Sequence, residues 1–212
     1  AGSLDLLEDC LAHYPAILSG RTDPLTVLFP QGRMDRVEAV YAHNEVQDRY
    51  NAELAAAAAR WCAERLATAP QRPLRVLEIG AGTGAATAAI LSALPAGTPL
   101  DYLFTDIGPA FLARARQRFP QLRFAPLDIE RPPQEQGFAP ASADLLVANN
   151  VLHATAELPQ ALAHVQWLAA PGALLLVNEQ TGRQPFIHLI FGLMEGWWRF
   201  RDALRSGGDS PL

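Results

Sequence analysis

Five short hydrophobic runs recur along the chain from Leu74 onwards, and more polar segments separate them. Continuous apolar runs of this length are typical of strands that are buried on both faces of a parallel sheet. Helical patterns lie between the runs and predict a doubly wound α/β fold with a mostly parallel, Rossmann-like sheet. The predicted strands are 74–79, 101–107, 122–129, 144–150 and 173–179, and the predicted helices are 85–94, 109–119 and 158–168.

The first seventy residues show helical periodicity instead. Helices are predicted over 4–18, 36–42 and 47–66. A polar, proline-containing segment at 68–73 then marks a boundary. We therefore predict an N-terminal helical segment, 1–70, followed by a nucleotide-binding core, 71–212. The helical segment either shapes a substrate pocket or only packs against the core, and composition does not separate these alternatives.

The most informative motif follows the first predicted strand, where glycines alternate after a glutamate in the segment EIGAGTG. A dinucleotide-binding turn has the spacing G-x-G-x-x-G and places a pyrophosphate on a helix N-terminus. Here the spacing is G-x-G-x-G, and the Glu78 carboxylate would repel a pyrophosphate but suit an ammonium or sulfonium group. The motif predicts a ligand at Gly80, Gly82 and Gly84, with Thr83 capping the next helix.

Two acidic residues come at the ends of the next two predicted strands. Asp106 lies about twenty residues after the glycine turn, where a carboxylate reaches the hydroxyls of a ribose. Asp128 ends the third strand. Either acid alone is also explained as a strand-end cap, but the two together after the glycine motif favour a nucleoside-binding edge.

A histidine and a glutamate follow the fourth and fifth predicted strands. The carboxyl ends of neighbouring parallel strands converge, so His153 and Glu179 are expected to lie close together. A carboxylate bonded to one ring nitrogen orients an imidazole as a general base. The alternative for His153 is a structural bond to the backbone at a helix start.

Composition narrows the class of partner. The 212 residues carry a formal net charge of −5, and all 17 basic residues are arginine. An acidic chain without a basic run is a poor candidate for nucleic-acid binding. No apolar run is long enough to span a membrane, so a cytoplasmic location without membrane contact is expected. The two cysteines show no metal-ligand spacing, and no metal is expected.

A specific resemblance emerges from motifs spread along the chain. The motifs are, in chain order, VLEIGAGTG, YLFTDIGPAFLARA, DIE, ANNVLHAT, LLLVNE and FGLMEGWWRF. With these motifs in this order, the chain resembles the methyltransferase domains of modular polyketide synthases, which belong to the class I S-adenosylmethionine-dependent methyltransferases. The glycine motif marks the superfamily, whereas NVLHAT and GLMEGWWRF are far more specific.

The resemblance implies S-adenosylmethionine as the cofactor. Residues of the glycine motif and of the strand ends would bind it. Asp128 would face the adenine amino group, Ile107 and Ile129 would lie beside the nucleoside, and Asn149 would lie beside the methionine part. The remaining cofactor residues implied are Glu78, Gly80, Gly82, Gly84 and Asp106.

The resemblance also implies the substrate, an acyl chain carried by the phosphopantetheine of an acyl carrier protein, with other synthase domains as further partners. His153 would be the base and Glu179 its support. Tyr50, Asn51 and Trp197 would line the pocket, and the aromatic segment 186–200 would be either a buried helix covering the sheet or one wall of that pocket.

Three functions remain open. The first is methylation of the α-carbon of a β-ketoacyl chain, and the second is methylation of a β-hydroxyl or enol oxygen. The third is a non-catalytic scaffold, because the class I fold ends in a sixth and a seventh strand and no strand pattern follows Phe200.

Overall fold

The structure is a computed structural model, which describes residues 2–32, 45–68, 72–205, 207–208 and 210–211. Contacts divide the chain into two units. One comprises Ala1–Asp48 and Thr181–Leu212, and the other is Arg49–Gln180. The predicted boundary after residue 70 therefore falls inside the second unit. The predicted helix 36–42 lies outside the described residues.

The second unit is built on a parallel sheet, as predicted. The described residues form five strands in the order β3-β2-β1-β4-β5, and every neighbouring pair is parallel. The strands are β1 (Leu74–Ile79), β2 (Leu100–Asp106), β3 (Arg123–Pro126), β4 (Ala143–Asn149) and β5 (Ala169–Asn178).

The strand order reverses direction at β1, which pairs with β2 on one side and with β4 on the other. In an open α/β sheet, ligands bind at the carboxyl ends of the strands next to such a switch point. The register brings Ile79 opposite Ala148, and Asn149 opposite Asn178. The ends of β1, β4 and β5 therefore lie side by side at this edge.

Helices cover both faces of the sheet because side chains alternate along each strand. Val76 and Leu145 belong to one core with the helices Glu45–Thr68 and Ala85–Ala93, whereas Leu77 and Leu146 belong to a second core with the helix Leu158–Leu168. The helices are α1 (Gly2–Leu18), α2 (Pro24–Leu28), α3 (Glu45–Thr68), α4 (Ala85–Ala93), α5 (Pro109–Arg118), α6 (Leu158–Leu168) and α7 (Pro185–Phe191).

The third and fifth strands differ from their predicted bounds. β3 ends at Pro126, three residues earlier than predicted, and β5 begins at Ala169 directly after α6. Pro171 and Gly172 therefore lie within β5, where the pairing with β4 is irregular between Ala143 and Leu145. An irregularity in the ladder is where a strand tolerates proline, because a backbone donor is not needed there.

The first unit has its own core, in which Leu6 of α1, Leu28 of α2 and Ile190 of α7 are fully buried. The segment 186–200, for which a buried helix was one of two alternatives, is helical only in part. Helix α7 ends at Phe191, and a separate helical turn, Glu195–Trp198, follows. Gly192 lowers the helix propensity at that point. No helix of the described residues is long and apolar enough to cross a membrane.

Candidate active site

The glycine loop after β1 is bonded to the end of β2. The Ala81 backbone N–H donates to the Thr105 carbonyl oxygen at 2.9 Å. The Gly82 N–H donates to Oδ2 of Asp106 at 2.8 Å. The loop and the strand-end acid therefore form one bonded unit at the switch point of the sheet.

The three glycines of this loop have positive φ angles, but their surroundings differ. A Cβ on Gly80 would lie 2.3 Å from the Val151 side chain, and a Cβ on Gly84 would lie 2.7 Å from the Phe119 ring. A Cβ on Gly82 would lie 3.9 Å from the Gly80 carbonyl oxygen, which is an ordinary contact. Gly80 and Gly84 thus permit close packing, while Gly82 lies at the open part of the loop.

The start of α4 differs from the prediction that Thr83 caps it. Gly84 is the N-cap residue, and a glycine has no side chain with which to cap the helix. The left-handed φ of 73° at Gly84 turns the chain into the helix.

Asp106 is a buried carboxylate whose two oxygens are both engaged. Oδ1 accepts from the Gly108 N–H at 2.7 Å, and Oδ2 accepts from the Gly82 N–H. Burial raises the pKa of Asp106, and these two bonds oppose that shift. Each carboxylate oxygen has a second lone pair, so the paired hydroxyls of a ribose can still be accepted.

The sequence suggested that the Glu78 carboxylate faces a ligand at the glycine loop. The side chain does not lie at the surface of the loop. Glu78 is 1% exposed, and its Oε2 accepts from the Thr87 hydroxyl at 2.5 Å and from the Tyr102 hydroxyl at 2.7 Å. Burial is the largest influence on its pKa, which rises to about 7 although both hydroxyl bonds lower it. The structure thus places Glu78 inside the core, beneath the loop.

A groove of about 420 Å³ lies at the ends of β2 and β3. Ile107, which is 68% exposed, and Asp128 line it, as do Pro126 and Gln136. The Gln136 side chain accepts from the Asp128 backbone N–H at 2.8 Å. Two residues predicted to bind the nucleoside, Ile107 and Asp128, therefore line the same groove, together with the charged residues Arg131 and Glu135.

Ile129 is placed elsewhere. Its side chain is 5% exposed and belongs to the second core of the sheet, with Leu127. Its carbonyl oxygen accepts from Nδ1 of His164 at 2.7 Å. The Ile129 side chain therefore faces the core, and the place of this residue beside the cofactor ring stays a prediction.

His153 and Glu179 are brought together, as the convergence of strand ends predicts. Nδ1 of His153 lies 2.6 Å from Oε2 of Glu179. The other oxygen, Oε1, accepts from the backbone N–H groups of Val151 at 2.8 Å and Leu152 at 2.7 Å. Glu179 therefore holds both the imidazole and the segment that carries it.

These bonds also assign the protons. Oε1 accepts from two backbone N–H groups and Oε2 lies at the imidazole, so a carboxylate here acts as an acceptor towards all three partners. With the carboxylate as acceptor, Nδ1 of His153 is the donor and carries the hydrogen. In the neutral imidazole the lone pair is then on Nε2. This is the tautomer and orientation of a general base supported by a carboxylate.

A row of amide side chains joins α3 to the strand ends. Nδ2 of Asn149 donates to Oδ1 of Asn51 at 3.1 Å, and Nδ2 of Asn178 donates to Oδ1 of Asn149 at 2.7 Å. The structure thus places Asn51 beside Asn149, while Tyr50 next to it is exposed. The sequence analysis did not include Asn178 among the site residues. Its position directly before Glu179, at the end of a predicted strand, could have indicated it.

Trp197 lies in the first unit. It is 9% exposed and packs with the core of that unit, and its indole N–H donates to Nδ1 of His188 at 3.2 Å. Its part in a substrate pocket stays a prediction.

Among the described residues, no group of three His, Cys, Asp or Glu side chains could hold a metal ion.

Comparison with known proteins shows what this chain is similar to. Residues 77–175 match the family model described as a methyltransferase domain. The chain is 47% identical over 210 residues to polyketide synthase ThaQ of Burkholderia thailandensis, covering 96% of this chain and 10% of that protein. The chain thus spans about a tenth of the length of this curated relative.

Two solved structures extend the comparison. The CurJ carbon methyltransferase is 39% identical with a TM-score of 0.88, over 100% of this chain and 56% of that one. The trans-methyltransferase CalH, in complex with SAH, is 32% identical with a TM-score of 0.70, over 90% of this chain and 51% of that one.

Proposed function

We propose that this chain, which belongs to the methyltransferase domain family, methylates the α-carbon of a β-ketoacyl chain carried by an acyl carrier protein. The observation that carries the proposal is the His153–Glu179 pair. It lies at the ends of β4 and β5, next to the strand that leads into the glycine loop. A base and a nucleoside site at one sheet edge suit a reaction that removes a proton and adds a cofactor-derived group.

The cofactor proposed is S-adenosylmethionine, whose sulfonium supplies an electrophilic methyl group. Its spent form is SAH, which CalH binds. The residues present fit it, because Asp106 retains acceptor capacity for ribose hydroxyls, and the next residue, Ile107, lines a groove together with Asp128. The loop around Gly82 leaves room for close approach to the backbone.

His153 is proposed to remove the α-proton of the substrate through Nε2. The proton that moves to Nε2 makes the imidazole a cation, which the ionised Glu179 on Nδ1 stabilises. Removal of the proton leaves its electron pair on the α-carbon and the neighbouring carbonyl oxygen. The α-carbon thereby becomes the nucleophile.

Carbon methylation is favoured over oxygen methylation on chemical grounds. The α-proton between a ketone and a thioester is acidic enough for an imidazole to remove, whereas a β-hydroxyl proton needs concerted help. The CurJ neighbour is itself described as a carbon methyltransferase. The proposed partners are a carrier protein and other synthase domains, because relatives such as ThaQ are polyketide synthases of far greater length.

The test is incubation of the chain and cofactor with acetoacetyl-carrier or 3-hydroxybutyryl-carrier protein, followed by fragmentation mass spectrometry. A methyl on the α-carbon of the first substrate is expected. A methyl on the hydroxyl of the second, with no carbon product from the first, would establish oxygen methylation instead. Calorimetric titration with S-adenosylmethionine separates both from a scaffold, which would not bind it.

A further inference from the structure

Five consecutive residues, Asn149–His153, are each bonded to Asn178 at the end of β5 or to Glu179 directly after it. Glu179 holds the backbone N–H groups of Val151 and Leu152 and the ring of His153. Asn178 holds the two residues before them: its carbonyl oxygen accepts from the Asn150 N–H at 2.7 Å, and its amide donates to the Asn149 side chain. Asn178 and Glu179 therefore jointly position the segment that carries the proposed base.

The amide row has a defined direction. Asn178 donates through Nδ2 to Oδ1 of Asn149, and Asn149 donates through its own Nδ2 to Oδ1 of Asn51. Asn149 thus accepts from Asn178 and donates to Asn51, so the row runs from Asn178 to Asn51. The Oδ1 of Asn51 is engaged by Asn149, so Asn51 offers its amide N–H₂ to the next group along.

We propose that Asn178 is a positioning residue that sets the direction of this row, so that Asn51 presents an N–H donor to a carbonyl oxygen of the acyl substrate. This inference rests on the proposed function. When His153 removes the α-proton, negative charge develops on the carbonyl oxygen, and a preorganised N–H donor stabilises that charge. A reversed row would present the Asn51 carbonyl oxygen there and would repel the same charge.

The experiment compares Asn178→Asp with Asn178→Ala. An ionised aspartate has the size of asparagine but can only accept, so Asn149 must turn over to donate to it, and Asn51 must then turn to donate to Asn149. Alanine removes the bond and leaves both directions open. We expect kcat with acetoacetyl-carrier protein to fall about 10²-fold for N178D, the usual cost of one oxyanion donor, and about 10-fold for N178A.

Three further measurements make the result specific. The melting temperature of N178D should match that of the parent, and calorimetry should show that N178D still binds S-adenosylmethionine. The ratio of the parent kcat to the N178D kcat should decrease as the pH falls, because a protonated aspartate can donate to Asn149 as asparagine does. Gln180→Glu, which adds the same charge two residues away, should keep the parent rate.

The outcomes distinguish this inference from the function on which it rests. A residue with a merely structural role would be damaged more by alanine than by the isosteric aspartate, with a lower melting temperature. If the parent is active and kcat of N178D is no lower than kcat of N178A, the proposed role of the amide row is wrong and the proposed function stands. A parent that binds cofactor but methylates neither carrier substrate would overturn the proposed function and the inference together.

Discussion

The substitution Glu179→Gln tests how the proposed base is held, because it changes one atom and keeps the shape. Glutamine has one acceptor oxygen, whereas Glu179 accepts three hydrogen bonds on two oxygens. If the amide oxygen keeps the Val151 and Leu152 N–H groups, the amide N–H₂ must face Nδ1 of His153. The imidazole then carries its hydrogen on Nε2, where the lone pair of the base is needed.

The opposite amide orientation is too costly to rescue the variant. It would turn the N–H₂ group towards the two backbone donors and leave both without an acceptor. At about 1–3 kcal/mol for each unsatisfied donor, that orientation is disfavoured by at least about 2 kcal/mol and stays below about 5% of molecules. The wrong tautomer therefore dominates, and we expect a rate loss of about 10²–10⁴-fold, the full value of a general base.

The assay is single-turnover methylation of acetoacetyl-carrier protein, with calorimetry to show that cofactor affinity is unchanged. Nitrogen NMR of the imidazole should show the hydrogen moving from Nδ1 to Nε2 in the variant. Glu8→Gln, on the exposed side of α1, is the matched control and should keep the parent rate. A parent rate in Glu179→Gln, or a rate loss with Nδ1 still protonated, would refute this reasoning.

Three other predictions concern the cofactor loop and the buried acid beneath it. Asp106→Ala should weaken S-adenosylmethionine binding by about 1–3 kcal/mol, because ribose hydroxyls lose their acceptor; unchanged affinity by calorimetry would count against the placement. Gly80→Ala should abolish binding or lower the melting temperature, because its Cβ would lie 2.3 Å from Val151. Gly97→Ala is its control, since Gly97 also has a positive φ but its Cβ would meet no described atom within 4 Å, and equal effects of the two would leave the clash without consequence. Glu78→Gln should flatten the pH dependence of stability: the pKa of Glu78 is raised from 4.5 to about 7, so its neutral form stabilises the fold below pH 4.5 and that stability is lost as the pH rises through 7. The parent should therefore lose up to about 3 kcal/mol relative to Glu78→Gln over this window, and parallel curves in chemical denaturation would contradict the assignment.

Local pattern was enough to predict the sheet of the second unit. Apolar runs marked the strands, and β1 was predicted to the residue. The fifth strand was predicted to be buried, but Leu175 and Val177 of β5 are exposed. Local pattern was insufficient over 186–200, where an apolar aromatic segment was compatible with a helix throughout and the structure ends the helix at Phe191. Apolar content reports burial, but it does not report where the backbone stops being helical.

The sequence likewise predicted one part of the candidate site and left another part to the tertiary structure. The sequence by itself determined that Asp106, His153 and Glu179 lie at one sheet edge, because parallel strands end together whatever their partners. Only the tertiary structure decided that Glu78 is buried under two hydroxyls and that the Ile129 side chain faces the core. Those outcomes depend on contacts between residues far apart in the chain, and a periodic pattern read along one segment carries no information about the atoms of another.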